Sequence, residues 1–176
     1  TYAGIFIYPT RHNALTLMMV LVLTYLWIPA TKGARRDRIP WYDALAIVLA
    51  IAVNLYIIIN TLEIMRRPYQ TPTALEQAFT LIIVVLLLEG VRRTAGLTLA
   101  IIGLFFFLYP FIAGYMPGFL YSRPQSLGRV TEMVYLYTSG IYGTLLHIFA
   151  TLLAAFLLFG SFLQVSGIGD FLTSIA

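Results

Sequence analysis

The pattern Glu-x-x-Arg-Arg occurs twice in this chain, as Glu63 with Arg66 and Arg67 and as Glu89 with Arg92 and Arg93. On a helix each carboxylate then faces basic partners three and four residues on. Two chemistries are open to such a group: a proton or ion route through a membrane, or an ion pair that closes a helix end, where the dipole favours arginine and its long stem reaches the headgroups. Both runs end apolar stretches and do not interrupt them, which points to helix-end ion pairs. His12 and His147 are the only histidines. Two imidazoles on different helices meet the minimum for bis-imidazole haem ligation. No cysteine or carboxylate cluster with metal-ligand spacing accompanies them, so ordinary polar satisfaction carries more weight and no metal site is expected.

Asn54, Asn60 and Gln164 are amides in otherwise apolar runs. An unpaired amide is costly in hydrocarbon, so each is expected to face protein, as an interhelical hydrogen bond or, as the minor alternative, along a substrate path. Gly167-x-Gly169 lacks the later glycine and lysine of a phosphate loop and has no strand before it; with Asp170 it reads as a helix stop and a new cap. The chain has no cysteine, which excludes disulfides and thiol chemistry. No nucleophile, base or metal constellation marks a catalytic centre, and no enzyme activity is expected.

The elements that position these residues follow from composition. The chain has 176 residues, 60% of them apolar and 10% charged, with a mean hydropathy of +0.88. A soluble domain carries about 25% charged residues, so a soluble enzyme is excluded and a bilayer protein is indicated. The net charge of +4 does not signal nucleic acid, because the basic residues are spread over several loops. A crossing needs about 20 apolar residues. Spans are predicted at Asn13 to Ile28, Ala44 to Leu62 with Asp43 as cap, Ala74 to Leu88 with Glu76 in the first turn, Thr94 to Ile112, and Tyr142 to Val165. Leu127, Val130, Val134 and Tyr137 recur at helical spacing between Ser126 and Ser139, which predicts an amphipathic interfacial helix. The fold class is therefore all-α integral membrane, with about five transmembrane helices and one interfacial helix.

Residues 1–12 read as the tail of an earlier span or an outer loop, 13–113 as a four-helix unit, 114–139 as an outer loop with the interfacial helix, and 140–176 as the start of a further unit. Thr1 is not an initiator methionine and Ala176 falls inside a new apolar run, which predicts a piece of a longer chain. Lys32, Arg35, Arg36 and Arg38 concentrate positive charge in one short loop and are expected to set the topology, with that loop in the cytoplasm. Trp27, Trp41 and Tyr42 flank it as interfacial anchors.

Four runs in order along the chain, Lys32 to Ala46 (KGARRDRIPWYDALA), Glu89 to Gly96 (EGVRRTAG), Tyr135 to Gly143 (YLYTSGIYG) and Phe159 to Phe171 (FGSFLQVSGIGDF), resemble the N-terminal portion of a TAXI-type TRAP transporter fused permease. In that family the small and large membrane components are one polypeptide. The resemblance implies a multi-pass protein of the bacterial inner membrane that imports an organic solute, often a carboxylate, delivered by a periplasmic binding protein and driven by a sodium or proton gradient. It implies further that Asn13 to Ile112 is the scaffold component. Substrate and the coupling cation Na+ or H+ would be held on a transport domain beyond Ala176, so no substrate-binding residue is carried over. Outer loops around Arg66 and from Met116 to Arg123 are the expected docking surface for the binding protein. The rival reading is a non-transporting membrane-anchor subunit of a respiratory or assembly complex, haem-bearing through His12 and His147.

Overall fold

The computed structural model describes residues 9–30, 40–66, 72–118, 121–137 and 140–166, and every regular element among them is helical. Helices α1 (Pro9–Trp27), α2 (Trp41–Arg66), α3 (Ala74–Thr94) and α4 (Leu97–Ile112) come first. A short helix α5 (Leu127–Thr131) continues into a π-helical turn, Glu132–Leu136. The last long helix is α6 (Thr144–Ile148), a second π turn (Phe149–Leu153) and α7 (Ala154–Val165) in unbroken succession. Four helices, Trp41–Arg66, Ala74–Thr94, Leu97–Tyr115 and Thr144–Val165, are long and apolar enough to cross a bilayer. The protein is an all-α, multi-pass membrane protein, and its apolar helices place it in lipid. Helix α1 has nearly the same length, but its first turns carry Thr10, Arg11, His12 and Asn13, which lowers its apolarity below that of the other four.

Several boundaries differ from those expected, each for a local reason. Helix α2 begins at Trp41, with Pro40 accepting from the Asp43 and Ala44 amides, so Asp43 lies in the first turn and is not the cap. Helix α3 runs on through Glu89, Arg92 and Arg93 to Thr94. At its start Thr73 and Glu76 form a reciprocal capping box: Thr73 Oγ1 accepts from the Glu76 amide at 3.3 Å and the Glu76 carboxylate from the Thr73 amide at 2.7 Å. Gly96, at φ +100°, then reverses the chain in a conformation that side-chain-bearing residues avoid, and α4 starts at Leu97, not Thr94. The π turn at Glu132–Leu136 inserts extra residues per turn, so Tyr135 is buried while Tyr137, expected on the apolar face, sits past the helix end and is exposed.

Helices α1, α2 and α3 pack on one another. Ala14, Leu17, Leu21 and Tyr25 repeat at helical spacing on α1 and meet Ala50, Val53 and Ile57 of α2 and Ile83, Val84 and Leu86 of α3. Helix α5 lies against α3, and the start of α6 against α1. The outer helices differ. Helix α4 contacts α3 and buries only Ala100, and the helix from Thr144 to Val165 buries none of its residues.

Candidate functional site

Two polar layers cross the bundle. The first gathers where α1 and α3 end and α2 begins. Arg93 on α3 donates to Asp43 Oδ1 of α2 at 2.6 Å, to Glu89 Oε1 at 2.8 Å and to the Ile28 carbonyl at 3.1 Å. Its guanidinium lies 4.7 Å from the ring centroid of Tyr25. Both partners of the Arg93–Asp43 pair are 3% exposed. Arg92 grips both Glu89 oxygens at 2.6 Å and donates to the Ala30 carbonyl at 3.2 Å, yet remains 38% exposed. Tyr25 Oη donates to the Leu86 carbonyl at 2.7 Å. Two arginines thus meet two carboxylates and three helices are tied at one end, which fixes their alternation.

The second layer crosses α2 at Asn54, about 17 Å further along the helix at roughly 1.5 Å per residue. Asn54 Nδ2 donates to its own Ala50 carbonyl at 2.7 Å, and Asn54 Oδ1 accepts from the Tyr142 hydroxyl at 3.0 Å. Tyr135 donates to the Val53 carbonyl at 2.9 Å and packs edge-on to Tyr142, with centroids 5.8 Å apart. Burial raises the Tyr135 hydroxyl above the ordinary tyrosine range, so it stays a donor. On α1, Asn13 Nδ2 donates to the Tyr142 carbonyl at 2.9 Å and the Gly143 carbonyl at 3.2 Å, while Asn13 Oδ1 lies 3.1 Å from His147 Nδ1. Nearby, Glu76 accepts from the Tyr56 hydroxyl at 3.0 Å through the carboxylate oxygen that its capping box leaves free. The layer fastens the Tyr135 to His147 stretch across α1 and α2. Its phenols and amides are spent on hydrogen bonds, so it reads as a fastening and not as a reaction centre.

The two Glu-x-x-Arg-Arg runs have different surroundings. Glu89 binds both its arginines. Arg66 is exposed and makes no ion pair with Glu63; Glu63 has an interaction of its own, and Arg67 lies outside the described residues. Of the three amides, Asn54 bonds across helices, whereas Asn60 Nδ2 closes on the Tyr56 carbonyl of its own helix at 3.0 Å, because the carbonyl one turn back is within easy reach. Gln164 is exposed on α7, which buries none of its residues among the described ones. Half-buried Asn60 thus bonds within its own helix and not across to another, and the expectation that Gln164 faces protein is corrected. Trp27 and Trp41 are exposed beside the first layer, with Tyr42 edge-on to Trp41 at 6.1 Å. Lys32, Arg35, Arg36 and Arg38, and Gly167 to Asp170, also lie outside the described residues.

Sequence reasoning missed Asn13, Tyr135 and Tyr142, and gave Asp43 and Tyr25 no part in the ion network. Asn13 had a readable signal, since it is an amide opening an apolar run, as Asn54 is an amide within one. The pairings themselves need three-dimensional register. Among the described residues no three His, Cys, Asp or Glu side chains gather around a common point. Compared with protein-family models, curated proteins and solved structures, the chain matches none.

Proposed function

We propose that this chain is the scaffold part of a TAXI-type TRAP permease of the bacterial inner membrane. The permease imports an organic solute of the carboxylate class, delivered by a periplasmic binding protein, on a sodium or proton gradient. The four sequence runs that resemble that family motivate the reading. One structural asymmetry supports it: α1, α2 and α3 are fastened at two levels, while α4 and the Thr144–Val165 helix beyond His147 are largely apolar and bury almost nothing. A transporter that moves one part against another needs such a fixed frame and apolar helices by which the moving part attaches. Substrate and coupling ion then belong to the attached part, and the chain itself performs no catalysis.

The test is uptake into proteoliposomes. Residues 1–176 alone should carry no solute under a sodium or proton gradient, and uptake should return when the large component and binding protein are supplied. Uptake by 1–176 alone would overturn the reading. Charge reversal at Arg66, Arg67 and Arg123, on the proposed docking loops, should weaken stimulation by the binding protein; unchanged stimulation removes those loops from the docking surface.

A further inference from the structure

The two histidines of the chain come from residues far apart in sequence, and the fold brings them together. The rings of His12 and His147 have centroids 6.1 Å apart with planes at 77°. Asn13 decides the state of one of them. Its amide nitrogen is committed as donor to the Tyr142 and Gly143 carbonyls, so its oxygen is the acceptor and His147 Nδ1 carries the proton. In the neutral ring that leaves the His147 Nε2 lone pair for another partner. The other ring is also unspent: among the described residues, buried His12 Nδ1 has no hydrogen-bond partner. An imidazole with one nitrogen held by a protein oxygen and the other unprotonated is the arrangement that metal-ligating histidines adopt.

We propose that His12 and His147 together bind one transition-metal ion of the zinc and copper class, with Asn13 as the positioning residue that orients His147. With metal–nitrogen bonds of about 2.0 Å, two imidazoles sharing one ion hold their centroids roughly 6 Å apart, which is the separation present. Imidazole nitrogen suits zinc and copper, whereas magnesium and calcium take oxygen ligands. The Asn13 clamp holds α1 against the Tyr142 to Gly143 backbone at hydrogen-bond distance, one residue from His12. With two protein ligands the remaining coordination positions stay open to water or an exogenous ligand. Arg11, beside His12 in sequence, adds positive charge, so affinity is below that of a four-ligand structural zinc site.

The experiment uses the purified full chain in nanodiscs, titrated with Zn2+ by calorimetry and with Co2+ by visible absorption. The expected result is one ion per chain, with a nitrogen-ligand Co2+ spectrum lost in both His12→Ala and His147→Ala. His12→Ala leaves the Asn13–His147 hydrogen bond intact, so its unchanged thermal unfolding without metal separates loss of a ligand from loss of the fold. Asn13→Ala should weaken Co2+ binding and shift its visible spectrum, because His147 Nδ1 then loses the oxygen that orients the ring. No stoichiometric uptake by the unmodified chain, uptake undiminished in both histidine variants, or saturable binding of sulfate in place of the metals would overturn the proposal.

Discussion

Arg92 and Arg93 share Glu89 as a partner but differ in burial, and burial decides what each contributes. Arg93 is enclosed with Asp43, so Arg93→Gln leaves a buried carboxylate with no counter-charge and should cost about 3–5 kcal/mol. Arg92 is open to the surroundings, and Arg92→Gln should cost under about 1 kcal/mol. Equilibrium unfolding of the two variants in mixed micelles measures the gap; equal losses would mean that the Asp43 pair carries no special weight. The second layer has a similar inequality. Tyr142→Phe removes one hydrogen bond between the turn before α6 and α2, and hydrogen bonds between membrane helices average about 0.6 kcal/mol. Asn13→Ala strands the Tyr142 carbonyl and His147 Nδ1 together, while the Gly143 carbonyl keeps the His147 amide, at about 1–3 kcal/mol for a buried unsatisfied group. The same unfolding assay should therefore rank Asn13→Ala well below Tyr142→Phe in stability.

Glycines report on how tightly the elements are joined. Between α5 with its π turn and the start of α6, the backbone folds back so closely that a Cβ on Gly140 would run into the carbonyl oxygens of Val134 and Met133. The Ile141 amide donates to that same Val134 carbonyl at 2.8 Å, so neither strand of the turn can yield. Gly140→Ala should destabilise the chain by roughly 1–3 kcal/mol, in the range of overpacked cores. Gly160 on α7 has nothing within 4 Å of an added Cβ, and Gly160→Ala should stabilise its helix by roughly 0.5–1 kcal/mol. Opposite shifts in the unfolding midpoint are expected, and a loss at Gly160 would mean that something packs on that face. These elements show what the sequence made legible. Apolar runs and helix-end charges located the long helices, because length and polarity act locally. The capping box of Thr73 and Glu76 lies three residues apart, and its glutamate was placed in the first turn from sequence alone. The π turns left no mark, since one extra residue per turn changes no composition, and the resulting burial of Tyr135 could not be read. Nor could the Asp43–Arg93 or Asn13–His147 pairs, whose partners are set by which faces of α1, α2, α3 and α6 happen to meet.

At the scale of the whole molecule, the ion network settles the relative order of the ends but not which end faces the cytoplasm. Arg93 reaches both Asp43 and the Ile28 carbonyl, so the end of α1, the start of α2 and the turn between α3 and α4 share one side. The start of α3 and the end of α2 then lie on the other, with the loop after α4. Absolute orientation rests on Lys32, Arg35, Arg36 and Arg38, because basic residues close to helix ends resist translocation while acidic residues count for little. Arg92 and Arg93 lie at that same end and add to the bias, because the two carboxylates they meet do not cancel it. The chain has no cysteine, so any single introduced thiol is the only one that can be labelled. In intact cells, Arg36→Cys should resist a membrane-impermeant maleimide until the cells are opened, whereas Arg123→Cys and Arg66→Cys should label at once. The reverse pattern would put the basic loop outside and remove the outer docking surface from the proposed transporter. Labelling of all three at once would contradict the alternation that the Arg93 contacts impose, and the bundle order with it.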